Sequence, residues 1–372
     1  MAGRVQLAVT GIQDQWLTGD PQFSYFVTLF KRHTRFSTEA VEIPFSGDSA
    51  FGSSVECRIP NNIGDLVRGM TLKVKLGNLT SHAGVSSPKY FYNVPLGKSI
   101  IKYADLVIGG QVIERLTGEY IYMYDQLHSN KDDVNQTLYF MNGHNQPLTV
   151  SDTYNTFYIN LPFYFHRNPS LAVPVCALTK QLVEVRVTFR DVDDDVTFKY
   201  ILGSSGVVQR EKTTEGSIKS ASLITDFYFI TDDEKNFLRT RPMEYVITQL
   251  QKSTVQFKPG ELKKSVLLKF ENPVKELMFL AKEETGNNFN TEDRLLNTST
   301  PDQSFSSVLK GGTVGSVTNT KCSDHRALKN IKLECNGATV FDHSGQYLAY
   351  QQSLQYHTGC PDPAYEFYTY SF

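Results

Sequence analysis

The sequence predicts an all-β protein built from two successive β-domains. Three observations carry that prediction: a composition rich in aromatic and β-branched residues, runs of strict apolar and polar alternation, and an internal repeat. The chain holds 20 Tyr and 24 Phe against one Trp, together with abundant Thr, Val, Asn and Gly, a mixture that fits pleated strands and tight turns better than helices. At 372 residues it is longer than a single hydrophobic core supports, so two domains of ordinary size are expected.

Residues 1–24 read as an N-terminal arm and residues 25–190 as the first domain. Successive side chains of a pleated strand point to opposite faces, so alternation identifies strands with one face on a core. In MTLKVKL, Met70, Leu72, Val74 and Leu76 share one face while Thr71, Lys73 and Lys75 share the other. In LVEVRVTF, Val183, Val185, Val187 and Phe189 oppose Glu184, Arg186 and Thr188. Two dipeptides able to take the positive φ angles of primed hairpin turns stand between apolar runs, Gly109-Gly110 and Asn336-Gly337.

These two hairpins are related. A shift of 227 positions superposes Lys102 on Lys329, Leu106 on Leu333, Gly110 on Gly337, Gly118 on Gly345, Tyr120 on Tyr347 and Leu127 on Leu354, with no gap. The identities fall on turn glycines and an adjoining tyrosine, where backbone geometry constrains the residue. Two copies at so long a period indicate a doubled domain and not a solenoid, whose units run to roughly 20 to 50 residues.

Between the domains, residues 191–221 carry charge, Gly and Ser in place of alternation and read as a linker or crossover, which makes 222–372 the second domain. Asp191, Asp193, Asp194 and Asp195 lack the regular ligand spacing of a calcium loop and read as a solvated acidic turn. Residues 128–156 and 283–327 are long and polar, and are expected to project from the barrels on an outer surface.

The formal net charge of -2 and pI near 6.5 lack the basic excess that holds a phosphate backbone, so direct genome binding is not expected. Five scattered cysteines without a CxxC indicate neither a disulfide framework nor a zinc site, and a reducing compartment fits them. The opening MAGRVQLAVTG has no apolar core of signal-peptide length, and no stretch approaches the roughly 20 apolar residues of a membrane span. Synthesis in the cytosol is the expectation.

The segment QDQWLTGDPQFSYFVTLFKRHTRF resembles the N-terminal signature of the major capsid proteins of nucleocytoplasmic large DNA viruses, the group of chloroviruses, iridoviruses and mimivirus-like viruses. GDLVRGMTLKVKL, IKYADLVIGGQVIER, LPFYFHRNPSLAVPVCAL with VEVRVTFRDVDD, GSIKSASLITDFYFITDDEKNFL, FENPVKELMFLA and LQYHTGCPDPAYEFYTYSF resemble that family in the same order. The resemblance spans nearly the whole chain. It implies two jelly-roll β-barrels in tandem, a homotrimer of pseudo-sixfold outline, and tiling with neighbouring capsomers and minor capsid proteins over an internal membrane. The implied place is the virion, assembled in the host cytoplasm, with no enzymatic activity and no cofactor. A minor capsid paralogue of the same fold is the nearest alternative, and a carbohydrate-binding jelly-roll protein a more distant one.

Candidate sites are few. Lys31, Arg32, His33 and Arg35, flanked by Phe30 and Phe36, form a basic and aromatic cluster suited to lipid headgroups or nucleic acid, or simply to a solvated segment. The family resemblance places this region toward the capsid interior. Glu114 and Glu119 flank a turn, yet nothing marks the sugar cleft that a glycosidase pair needs. The eight histidines show no metal-ligand spacing, and GxSxG, P-loop and GxGxxG motifs are missing, so no catalytic or metal residues are expected. Sequons at Asn78, Asn135 and Asn297 are candidate glycan sites, while Asn168 is excluded by Pro169.

One expectation concerns the C-terminus. In the first domain FYINLPF is followed by the core strand LVEVRVTF, whereas the second reaches FYTYSF at Phe372. By the repeat, roughly 25 residues and one strand of the second jelly roll lie beyond this sequence, or another segment donates a strand there.

Overall fold

The computed structural model describes residues 11–12, 33–79, 89–93, 96–129, 155–192, 196–202, 208–258, 260–281, 328–361 and 367–372. The elements of the first half are β1 (Phe36–Pro44), β2 (Ser54–Ile59), β3 (Leu66–Leu76), β4 (Lys89–Tyr92), α1 (Leu96–Ile100), β5 (Ile101–Ile108), β6 (Gln111–Thr117), α2 (Gly118–His128), β7 (Thr156–Asn160), α3 (Tyr164–Arg167), β8 (Val183–Phe189), β9 (Thr197–Leu202), β10 (Val208–Lys212) and β11 (Ile218–Ile230). After them come α4 (Asp232–Thr240), β12 (Glu276–Phe279), β13 (Asn330–Cys335), β14 (Ala338–Ser344), a π-helical turn over Tyr347–Gln351, α5 (Gln352–Tyr356) and β15 (Tyr368–Ser371).

Two four-stranded sheets, in the orders β1-β11-β3-β7 and β2-β8-β5-β6, enclose the main core. Alternation decides which side chains enter it. Met70, Leu72, Val74 and Leu76 of β3 are buried, and Val183, Val185, Val187 and Phe189 of β8 meet them in one cluster with Phe157, Ile159 and Phe227. Full burial of the four β8 side chains contributes roughly 6 to 12 kcal/mol, at about 1.5 to 3 kcal/mol each. The opposite face of the β2-β8-β5-β6 sheet carries charge in balanced pairs. Arg58 lies 3.0 Å from Glu184, Arg186 3.4 Å from Glu56 and 3.2 Å from Glu184, and Arg115 grips Asp105 through two 2.7 Å bonds. Cross-strand pairs such as Arg58–Glu184 and Arg115–Asp105 neutralise the outer face without leaving it sticky.

The segment expected to be a linker or crossover carries strands. Residues 197–212 hold β9 and β10, of which β9 pairs with both β10 and β4. β11, which begins inside the expected linker at Ile218, runs antiparallel to β3 from Ile218 opposite Leu76 to Tyr228 opposite Leu66. The first half therefore extends to residue 230 rather than 190. Sheet membership here is set by backbone hydrogen bonds to a distant partner, which the mixed, half-exposed side chains of β11 do not announce.

The two hairpins correspond pair by pair. Tyr103 stands opposite Thr117 and Asn330 opposite Ser344; each ladder then slips by one residue at the same place, between Leu106 and Val107 and between Leu333 and Glu334. Both turns are of the primed kind, with φ of 60° and 82° at Gly109 and Gly110 and 50° and 81° at Asn336 and Gly337. Each second strand runs straight into a helix whose first turn is capped alike. The Thr117 hydroxyl accepts from the Tyr120 amide and the Ser344 hydroxyl from the Tyr347 amide, both at 3.3 Å. Gly118 and Gly345 are required by contact, since a Cβ at either would strike the carbonyl oxygen of Ile101 or Leu328. Those two carbonyls are themselves related by the 227-residue shift.

The second half is less covered. A smaller cluster joins Leu277, Phe341, Leu348, Ala349 and Tyr368. Among the described residues β13 pairs with β14 alone, whereas its counterpart β5 lies between β6 and β8. Met243, Val246, Phe257, Leu262, Leu267, Leu354, Tyr356 and Phe372 are all exposed. Of the two segments expected to project, residues 130–154 and 282–327 lie outside the described residues; His128 instead closes α2, and Asn155 is buried before β7.

Leu72 lies at the centre of the main core with no exposed surface. Leu72→Ala is expected to lower unfolding free energy by about 2 to 5 kcal/mol, read from urea denaturation. A loss under about 1 kcal/mol would contradict its burial.

Candidate functional site

The surface that organises the molecule is the junction between its halves, and α2 is its centre. Its sequence GEYIYMYDQLH buries Gly118, Glu119, Tyr120, Ile121, Tyr122, Met123, Gln126 and Leu127, so the helix is covered nearly all round. Such a helix belongs inside a protein, between two layers. On one side it meets the main core through Tyr120 and Ile121. On another, Tyr122, Met123 and Leu127 cluster with Phe367, Met278 and Leu280 of the second half. The Gly359 amide donates to the Leu127 carbonyl at 2.8 Å, and any side chain at position 359 would strike the Gln126 carbonyl.

Two carboxylates at the approach to α2 are held by cations. Glu114, whose side chain has no exposed surface, lies 2.7 Å from Arg167 and accepts from the Tyr164 amide at 2.8 Å. Arg167 uses its planar fork further, donating to the Tyr120 hydroxyl at 2.9 Å and to the Thr248 carbonyl at 2.7 Å. Glu119 lies 2.8 Å from Arg190 and 3.6 Å from Lys252. Thr248 and Lys252 both come from the second half, and Gln249 beside them donates to the Ile113 carbonyl at 2.6 Å. Residues 245–252 are thereby fastened along the first half, with Ile247 and Leu250 packed on its core.

The two carboxyls experience opposite balances. Burial pushes Glu114 above the usual range, and the Arg167 charge and hydrogen bonds only partly offset this. Burial also raises Glu119, but Arg190 and Lys252 together with hydrogen bonds outweigh it and hold the group at about 2. The pair imagined as glycosidase carboxylates is thus an ion-paired structural set. At the other end of α2, the Tyr124 and His128 rings stack at 4.0 Å, His128 meets His357 at 5.3 Å, and His357 Nε2 lies 2.8 Å from Glu276. Among the described residues no group of three or more His, Cys, Asp or Glu is arranged to hold a metal ion, and no helix is long and apolar enough to cross a membrane.

The residues singled out by sequence are not gathered at this junction. Asn78 is exposed just past β3, and Asn135 and Asn297 lie outside the described residues. His33 and Arg35 are exposed, the His33 ring meeting Phe36 edge-on at 6.0 Å, and Lys31 and Arg32 lie outside the described residues. Arg167, Arg190, Thr248 and Lys252 were not singled out, because no local pattern marks a cation whose partner is remote in sequence.

Residues 24–231 match the family described as "Major capsid protein N-terminus", and residues 234–372 match "Large eukaryotic DNA virus major capsid protein". The chain belongs to the major capsid protein family of large eukaryotic DNA viruses. The boundary between the two matches falls just after β11, where the structure ends the first half. A major capsid protein of Pyramimonas orientalis virus is 30% identical over 284 residues, covering 75% of this chain and 65% of the relative. The major capsid protein of Paramecium bursaria Chlorella virus 1 is 28% identical, with 74% and 60% covered. Capsid protein 1 of Acanthamoeba polyphaga mimivirus is 29% identical, with 75% and 48% covered. The chain thus spans about half to two thirds of the length of these relatives. The crystal structure of PBCV-1 VP54, fitted into a reconstruction of the virophage Sputnik, superposes with a TM-score of 0.67 at 23% identity over 94% of this chain and 80% of that one. The fold is the double jelly roll.

Glu119 titrates at about 2 in the folded chain against 4.5 for a free glutamate, so its contribution is present above pH 4.5 and lost as pH falls toward 2. The difference corresponds to about 3 kcal/mol. The stability gap between wild type and Glu119→Gln is therefore expected to be largest near neutral pH and to narrow by that order between pH 5 and 2.5. A gap independent of pH in denaturation series would contradict the ion-paired assignment.

Proposed function

We propose that the protein is a structural capsid subunit, without catalytic activity, that forms homotrimers of pseudo-sixfold outline and tiles the icosahedral shell of a large DNA virus. Its place is the virion, after assembly in the host cytoplasm, beside neighbouring capsomers, minor capsid proteins and an internal membrane. The observation that carries this reading is the doubled hairpin-helix unit, identical in register, bulge, turn and cap. Three chains each bearing two such units present six near-equivalent ones, which is the geometry a hexagonal lattice uses.

Membership of the capsid protein family supports the reading, as does the surface chemistry. A net charge of -2 leaves copies little mutual repulsion when packed side by side. The basic segment with Lys31, Arg32, His33 and Arg35 is read as an inner-face contact, and Asn78, Asn135 and Asn297 as glycan positions. The edge of β13 that lacks a partner among the described residues is read as the place of a strand patterned like β8, because β8 covers the same edge of β5.

Light scattering and negative-stain microscopy of the purified protein test the proposal. Trimers with a hexagonal outline are expected. Uniform monomers at high concentration would overturn it, and sugar binding by such monomers would favour a carbohydrate-binding module.

A further inference from the structure

We infer that the outward face of the helical stretch Tyr347–Tyr356, carrying Leu354 and Tyr356, docks one copy of this chain on the first half of a second copy. The inference rests on the trimer reading above and assigns the surface that closes it. The internal repeat supplies the first step. Leu127 of α2 and Leu354 of α5 are equivalent under the 227-residue shift, on helices that begin with equivalent glycines and caps. Their surroundings differ completely. Leu127 is 0% exposed because the second half covers it through Phe367, Met278, Leu280 and Gly359, whereas Leu354 is 59% exposed and Tyr356 52%.

A single exposed leucine needs no explanation on its own. Here, however, the bare position is the twin of one that the other half of the molecule buries. Gln351 and Gln355 are exposed beside it, so the face is open over a full turn of helix. It is also continuous with the existing junction. His357, the residue after Tyr356, already meets His128 at 5.3 Å, and Gly359 bonds the Leu127 carbonyl.

The contact of the first-half helix with the second half is heterologous, joining unlike surfaces head to tail. A heterologous contact repeated by a rotation that closes generates a ring. Within the chain the step runs from first half to second. The next step of the same kind runs from the second-half helix to the first half of the next copy, and three copies then alternate internal and intermolecular versions of one contact. The occupant of the Leu354 face is accordingly a second copy of this chain.

The test compares the wild type with Leu354→Asp and Tyr356→Ala by light scattering over a dilution series, with circular dichroism and melting to confirm folding. Wild-type trimers are expected to dissociate at least about tenfold more readily in either variant, as loss of an apolar anchor at an interface produces. Hydrogen exchange on the wild type provides a readout independent of any variant: amides 351–356 should be protected in the trimer and released on dilution. Trimers that persist in folded variants, with exchange at 351–356 unchanged by assembly, would overturn the inference while leaving the trimer standing. A monomeric wild type would sink both, and would be recognised before any variant was made.

Discussion

A carboxylate placed out of water must be met by a cation and by hydrogen bonds, and this requirement at Glu114 and Glu119 governs how the two halves are joined. Glu114 sits where β6 leads toward α2, and Glu119 in the first turn of that helix. Neither can remain charged there without Arg167 and Arg190. Once those arginines are drawn in, the chain between Tyr245 and Lys252 adds an acceptor for Arg167 and a second cation for Glu119, while Arg190 donates to the Lys98 carbonyl. Thr248 accepts from Arg167, and Lys252 approaches Glu119 at 3.6 Å. The apolar cluster of Tyr122, Met123, Leu127 and Phe367 then fills the space beside the paired charges.

The same arrangement explains why the doubled units are not interchangeable. Their hairpins and caps agree in register, bulge and cap geometry, but position 114 in the first is Glu and its counterpart in the second is Phe341, buried against Tyr370 at 4.0 Å between ring centres. The first unit carries the ion pair that receives the second half, and the second unit carries an aromatic stack that serves its own core. A duplicated fold has been given two different interior chemistries while its backbone contacts, including those that require Gly118 and Gly345, are kept.

The parts of this structure legible in the sequence are those fixed by local geometry. Alternation revealed the faces of β3 and β8, because a period of two admits only one division of side chains. The turn dipeptides revealed both hairpins, because few residues tolerate positive φ at two successive positions. What depended on remote partners was hidden. β11 lay partly within a stretch taken for a linker or crossover, since its first residues, Ile218 to Ala221, carry no apolar alternation although they pair with β3. Glu114 and Glu119 were noticed as a pair, but their partners Arg167 and Arg190 stand 53 and 71 positions away, and nothing local distinguishes these from any surface arginine.

The claim that paired buried charge holds the junction is tested most directly by a double-mutant cycle on Glu114 and Arg167. Unfolding free energies of the wild type, Glu114→Gln, Arg167→Met and the double variant would be compared at neutral pH. Removing Arg167 alone strands a buried carboxylate and is predicted to cost about 3 to 5 kcal/mol. The double variant is predicted to cost less than the sum of the single variants by at least about 1 kcal/mol. Strict additivity of the two substitutions would contradict the account, because it would mean that the carboxylate and the guanidinium do not depend on each other.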